Sequence, residues 1–131
     1  MELKDYFEQA KGKGIIATAD ANGKVGMAVY GRPHFISEKR VAFIMADRLM
    51  HKNLISNPKA SYLFIEDGPR YKGKRLYMTK IREEQDNELA EQLRRKKRYL
   101  SDESYKKGER FVVYFKIDKV LPLIGTVEKP E

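Results

Sequence analysis

Short stretches of alternating apolar and polar residues fill most of this chain, and three other stretches read as helices. Gly14 to Ala19 (GIIATA) and Val25 to Tyr30 (VGMAVY) read as strands on either side of Asp20-Ala21-Asn22-Gly23, where the Asn-Gly pair supplies the positive backbone angle that a tight hairpin requires. The second strand puts Val25, Met27 and Val29 on one face and the small residues Gly26 and Ala28 on the other, which leaves room for a close approach on that side. Gly31-Arg32-Pro33 punctuates the chain. His34 to Ser37 and Val41 to Ala46 then form a second hairpin through Ser37-Glu38-Lys39-Arg40. Val41 to Ala46 is apolar on both faces, the mark of a strand in the middle of the core. Ala60 to Glu66, Lys74 to Arg82 and Arg110 to Val120 are further strands, the last turning Phe111, Val113, Phe115 and Ile117 inward.

The helical pattern begins at Asp5 to Lys11, where Leu3, Phe7 and Ala10 share a face and Gly12 and Gly14 end the run. This helix is expected across one end of a barrel. Arg48 to Asn57 reads as a second short helix, closed by Pro58, which forces the chain back into a strand. Glu83 to Leu100 reads as a long polar helix with a thin stripe of Leu89, Ala90 and Leu93. Its acidic residues come first and its basic residues last, which complements the helix dipole. About six strands with helical covers make a small antiparallel barrel, and residues 1–131 fit a single domain with a core of its own.

Composition removes several function classes. Without cysteine there is no thiol chemistry and no cysteine-bound zinc, and with His34 and His51 as the only histidines no metal site is expected. No apolar run approaches the ~20 residues of a membrane-spanning helix. The segment MELKDYFEQAKGKG has no basic-then-apolar leader layout, so the expectation is a soluble cytoplasmic protein without membrane partners. The net charge of +8 is concentrated in Arg94 to Arg98, with Lys106 and Lys107 after it; this reads first as a solvated helix end and second as a nucleic-acid footprint. No Ser-His-Asp set, supported carboxylate pair or glycine-rich phosphate loop is present, so no catalytic residue can be named and a cofactor would have to carry any chemistry.

The junction at Asp47 stands out. A helix that starts where a buried strand ends offers unpaired N–H groups and a partial positive charge, and Arg48 and Lys52, one turn apart, could grip the same anion. Asp47 is placed to cap this helix and so to compete with a ligand. His51 reads as an exposed polar residue, and Asn53 as able to satisfy a backbone group at the helix end.

The GIIATADANGKVGMAVY hairpin, the FIMADRLMHKNLISNPKASYLFIE strand-helix-Asn-Pro-strand unit and the GKRLYMTK strand, in this order, resemble the pyridoxamine 5'-phosphate oxidase-like family of FMN-binding split barrels. The resemblance covers roughly residues 12–82. It implies a mainly β, α+β fold, a small antiparallel split β-barrel, with flavin mononucleotide (FMN) held between the subunits of a homodimer. It puts the phosphate near Arg48, Lys52 and Asn53, and the ring system against Met27, Ala28, Val29 and Tyr30 and the backbone of Met45, Ala46 and Asp47. Arg75 is a further candidate, and Tyr30 and Tyr77 are possible ring neighbours.

Two departures qualify what is carried over. Where family members show Ser-Arg-Lys at the start of the short helix, this chain has Arg48, Leu49 and Met50. The arginine-bearing C-terminal signature of the true oxidases is missing from VEKPE, which argues against oxidation of pyridoxamine phosphate itself. The expected function is therefore that of a flavoprotein, an oxidoreductase acting on an unknown small substrate or an electron carrier. The alternatives are a nucleic-acid-binding basic β-barrel, using Arg94 to Arg98 and strand aromatics, and a haem-handling relative of the same fold with His34 and His51 as ligands.

Overall fold

A computed structural model describes residues 2–85, 88 and 110–126. The elements run α1 (Leu3–Gln9), β1 (Gly12–Ala19), β2 (Val25–Tyr30), β3 (His34–Ser37), β4 (Arg40–Ala46), α2 (Leu49–Ser56), β5 (Lys59–Glu66), β6 (Gly73–Glu84) and β7 (Arg110–Pro122). The strands form one antiparallel sheet in the order β2-β1-β5-β6-β7-β4-β3. That is seven strands against a count of about six expected; each of the seven segments read as a strand forms one. The edges β2 and β3 do not pair, so the sheet curls without closing.

Both predicted hairpins form. In the first, Gly23 takes a φ of 84° and donates to the Asp20 carbonyl at 3.1 Å, while Asp20 Oδ1 accepts the N–H groups of Asn22 and Lys24 at 2.9 Å each. A glycine meets the turn's left-handed position without steric cost.

The strand β4 is buried throughout from Val41 to Met45, yet it lies next to the edge strand β3 and not in the middle of the sheet. Burial on both faces requires cover on both faces, not a central place. Val41, Phe43 and Met45 enter the main core, whereas Ala42 and Ile44 pack with Val112 and Tyr114 on the other side. The predicted helix from Glu83 needs a correction: Glu83 and Glu84 end β6. Apart from Gln85 and Glu88, the rest of that stretch, including Arg94 to Arg98, lies outside the described residues.

A bulge between Lys80 and Arg82 explains why the alternation misleads there. Lys80 pairs with Phe115 and Glu83 with Val113, both core-face residues, so an extra residue lets two positions three apart face inward together. Arg82, turned outward, stacks on the Tyr114 ring at 3.9 Å.

The core is rich in aromatic side chains. Phe7 of α1 packs edge-on to Phe64 at 5.2 Å and lies 6.0 and 6.1 Å from Phe35 and Tyr62. The Tyr6 hydroxyl donates to Glu66 Oε2 at 2.5 Å, and the Arg32 guanidinium donates to the carbonyls of Phe7 and Ala10 at 3.0 Å each, closing the end of α1. Burial, with the hydrogen bond to Glu66 and its charge, pushes the Tyr6 phenol well above its ordinary value. Gly14 leaves the space that the Tyr62 ring occupies, since a Cβ there would lie 2.0 Å from the tyrosine oxygen.

Phe7 is 1% exposed, so Phe7→Ala should destabilise the fold by about 3–5 kcal/mol, the usual cost of emptying an aromatic core site. Denaturant unfolding measures it, with the midpoint falling and the slope unchanged.

Candidate functional site

The helix α2 lies against β1, β2 and β4. It comes close because β2 presents Gly26 to it: a Cβ at that glycine would sit 2.4 Å from Met50 Cε and 3.0 Å from Leu49 Cδ2. The small-residue face of β2 is thus filled by the chain's own helix. Asn53, 4% exposed, donates through Nδ2 to Thr18 Oγ1 at 3.1 Å, and the Thr18 hydroxyl donates to the Met50 carbonyl at 3.3 Å. Both residues are therefore used to fasten α2 to β1. At its far end, Ser56 Oγ accepts the Ala21 N–H at 3.1 Å, which ties the helix to the first hairpin turn.

At its near end, Arg48 is the N-cap residue, with extended backbone, and no side chain caps the helix. Asp47 does not take that role. Its Oδ1 lies 3.1 Å from His51 Nδ1, while His51 Nε2 lies 2.9 Å from Glu83 Oε2. His51, expected at the surface, is instead 3% exposed and stacked on Phe111 at 4.0 Å with an interplanar angle of 15°. Lys80 pairs with the other oxygen of Glu83. Burial pushes the Glu83 carboxyl up, but the hydrogen bonds from Lys80 and His51 and their charges more than offset it, so the group sits below the usual carboxylate range.

The residues named from the sequence do not all come together. Arg48 and Lys52 are exposed one turn apart beside the uncapped first turn, and among the described residues neither has an ion-pair or hydrogen-bond partner for its side chain. Met45 is fully buried and Ala46 half-buried, so Met45 can offer a ligand only its backbone. On β2, Ala28 and Tyr30 face inward, Tyr30 packing 6.3 Å from Phe43, while Met27 and Val29 are 70% and 74% exposed on the outer face. Arg75 stands apart from α2, on a strand between β5 and β7, where its Nε donates to the Pro122 carbonyl at 2.8 Å and a second nitrogen to Gly125. Tyr77 is 37% exposed on the outer face.

Glu83, Lys80, Phe111 and Thr18 escaped the sequence reading. The four-residue spacing of Asp47 and His51 was a usable signal for their pairing. Nothing comparable marked Glu83, whose direction depends on the bulge. Among the described residues no group of three or more His, Asp or Glu side chains could hold a metal ion, and no helix is long and apolar enough to cross a membrane.

This geometry defines a class: an antiparallel split barrel with two exposed cations at a strand-to-helix junction and an apolar outer face. No protein-family model matches the sequence, and no curated protein matches it. Solved structures do. An FMN-binding protein from Syntrophomonas wolfei subsp. wolfei superimposes with a TM-score of 0.76 at 17% identity, covering 94% of this chain and 84% of that one. An F420 reductase follows at 0.68, 15% identity, 89% and 94% coverage. A protein related to general stress protein 26, of the pyridoxinephosphate oxidase family from Clostridium acetobutylicum, gives 0.62 at 16% identity with 91% and 83% coverage. The chain has the split-barrel fold of these proteins, and the resemblance to pyridoxamine 5'-phosphate oxidase-like proteins seen in the sequence is borne out at the level of fold.

The tethering of His51 gives a pH test. Because the folded Glu83 carboxyl is depressed, its contribution to stability is complete above the ordinary value of 4.5 and is lost as pH falls through the lower folded value. Glu83→Gln should therefore be less stable than the parent at pH 7, with the gap closing as both are titrated below pH ~4.5 in parallel unfolding curves.

Proposed function

We propose that this chain binds FMN at the seam of a homodimer and works as an oxidoreductase on a small substrate or as an electron carrier. The observation that carries it is the uncapped first turn of α2 flanked by the exposed, unengaged Arg48 and Lys52. Backbone N–H groups with paired cations are the donor set that a phosphate with two negative charges prefers. These residues fit the phosphate. In this reading Met27 to Tyr30 and the backbone of Met45 to Asp47 would border the ring system. The flavin, when bound, supplies hydride or electron transfer, and the protein's part is to orient it and limit water. The names FMN-binding protein and F420 reductase among proteins of the same fold support a flavin-like cofactor.

The dimer is supported by the outer face of the sheet. Val25, Met27 and Val29 are 65%, 70% and 74% exposed on the edge strand β2. Ile15 and Ala17 of β1 pair with Val29 and Met27, and Leu63 of β5 pairs with Ile15, which extends the apolar surface across three strands. A contiguous apolar face of this kind on a basic, highly charged chain is suited to meeting a second copy of itself. The whole chain acts as one domain in this reading, in the cytoplasm.

Freshly purified protein should show flavin absorption in the visible, or acquire it when FMN is added, with quenching of the flavin fluorescence; a titration with cofactor F420 separates the two cofactor types. Replacing Arg48 and Lys52 together by alanine should weaken FMN binding by about tenfold or more, since charge-assisted hydrogen bonds are lost. Affinity unchanged in that variant, or no binding by the parent, removes the proposal. Met27→Lys should shift the assembly from dimer to monomer in light scattering, because each copy would bury a charge.

A further inference from the structure

We propose that His51 is a proton-controlled gate for the anion junction: with both ring nitrogens protonated it holds Asp47 away from the first turn of α2, and on losing a proton it releases Asp47 to cap that turn. The gate rests on the flavin reading above for its ligand, but not for its mechanism.

The geometry is specific. Nδ1 is 3.1 Å from Asp47 Oδ1 and Nε2 is 2.9 Å from Glu83 Oε2, in a side chain 3% exposed. A neutral imidazole donates from one nitrogen and presents a lone pair at the other, so both contacts are hydrogen bonds only in the imidazolium. The two partners differ. Glu83 has a second cation, Lys80, on its other oxygen, whereas Asp47 has a side chain 43% exposed and His51 as its partner. Loss of a proton therefore falls on the Asp47 contact, the one whose carboxylate is free to turn to water or to the helix.

Asp47 directly precedes the N-cap residue Arg48, and the helix carries no side-chain cap. The Asp47 carboxylate stands one residue before the N-cap position, within reach of the open N–H groups of the first turn once His51 releases it. A carboxylate there occupies the donors that an anion would use and repels it. The charged groups that face His51 are Asp47 from the β4–α2 junction and Glu83 from β6, with Lys80 behind Glu83; β7 contributes the uncharged Phe111 ring. With His51 protonated, these four ionised side chains sum to zero charge, and with His51 neutral one negative charge is left beside the junction.

The experiment follows the His51 ring nitrogens by NMR in the full-length protein while FMN affinity is read by fluorescence quenching across the same pH range. Sulfate, whose charge stays constant over that range, is titrated as a second probe because the FMN phosphate has a proton of its own to lose. Affinity for both should fall about two- to fivefold over the interval in which the ring loses its proton, the effect of one charge at a helix terminus. Asp47→Ala, which cannot cap, should show no such fall while its ring still titrates.

An affinity that stays flat while the ring titrates, a fall of the same size in Asp47→Ala, or a ring that carries one proton across the whole range overturns the gate. If neither probe binds the parent at any pH, the flavin reading fails. The gate is then judged by the backbone amide shifts of Leu49, Met50 and His51, which must move with the ring titration in the parent and not in Asp47→Ala; unmoved shifts in the parent overturn it.

Discussion

The close approach of α2 to the inner face of β2 determines where everything else in the candidate site stands. Gly26 permits it sterically, and the Asn53–Thr18–Met50 hydrogen bonds hold it in register against β1. Those buried polar groups would each be costly if left unpaired, so the helix cannot slide along the strand without breaking bonds that water does not replace. With the body of the helix held, its first turn has one position available, at the end of β4 beside the exposed face of the chain. Arg48 and Lys52 project from there on the solvent side of the helix, whereas Met50, His51, Asn53 and Leu54 turn into the protein.

A second constraint comes from the far side. The bulge in β6 turns Lys80 and Glu83 into the same interior space as His51, and the Phe111 ring closes it. The result is a run of polar contacts, Lys80–Glu83–His51–Asp47, linking β6 to the strand-to-helix junction. Because Glu83 has two partners and the more exposed Asp47 has one, the linkage is anchored in the sheet and soft at the junction. Both nitrogens of His51 face carboxylates in this structure.

The sheet has two very different surfaces. Its inner face is filled with aromatic and aliphatic side chains from α1, α2 and the central strands. Its outer face across β2, β1 and β5 is apolar as well, yet β2 leaves three large side chains in the open. In the proposed dimer, a second copy would cover this edge-strand surface without a further element. The two features that the proposed cofactor site uses, the cationic strand-to-helix junction and the apolar face, are thus both contributed by the first half of the chain.

Much of this was legible in the sequence because it depends on local rules. The Asn-Gly turn, the period-two strands, the Pro58 stop and the pairing of Arg48 with Lys52 on one helix face follow from backbone geometry over a few residues. The small face of β2 was readable too, although its occupant, α2, was not. What only the tertiary structure decided involves groups distant in the chain. Glu83 looked like the start of a helix because its neighbours are polar, and the bulge that turns it inward is a property of the pairing of β6 with β7. His51 looked exposed because histidine is polar; its burial depends on carboxylates from two separate elements arriving at its two nitrogens. Asp47 was an obvious cap by position and is not one, since the tertiary fold offers it a stronger donor than the backbone does. Local sequence carries the propensities of each segment, but the partners of a buried polar group are set by which strands lie side by side, and that is settled only when the sheet is assembled.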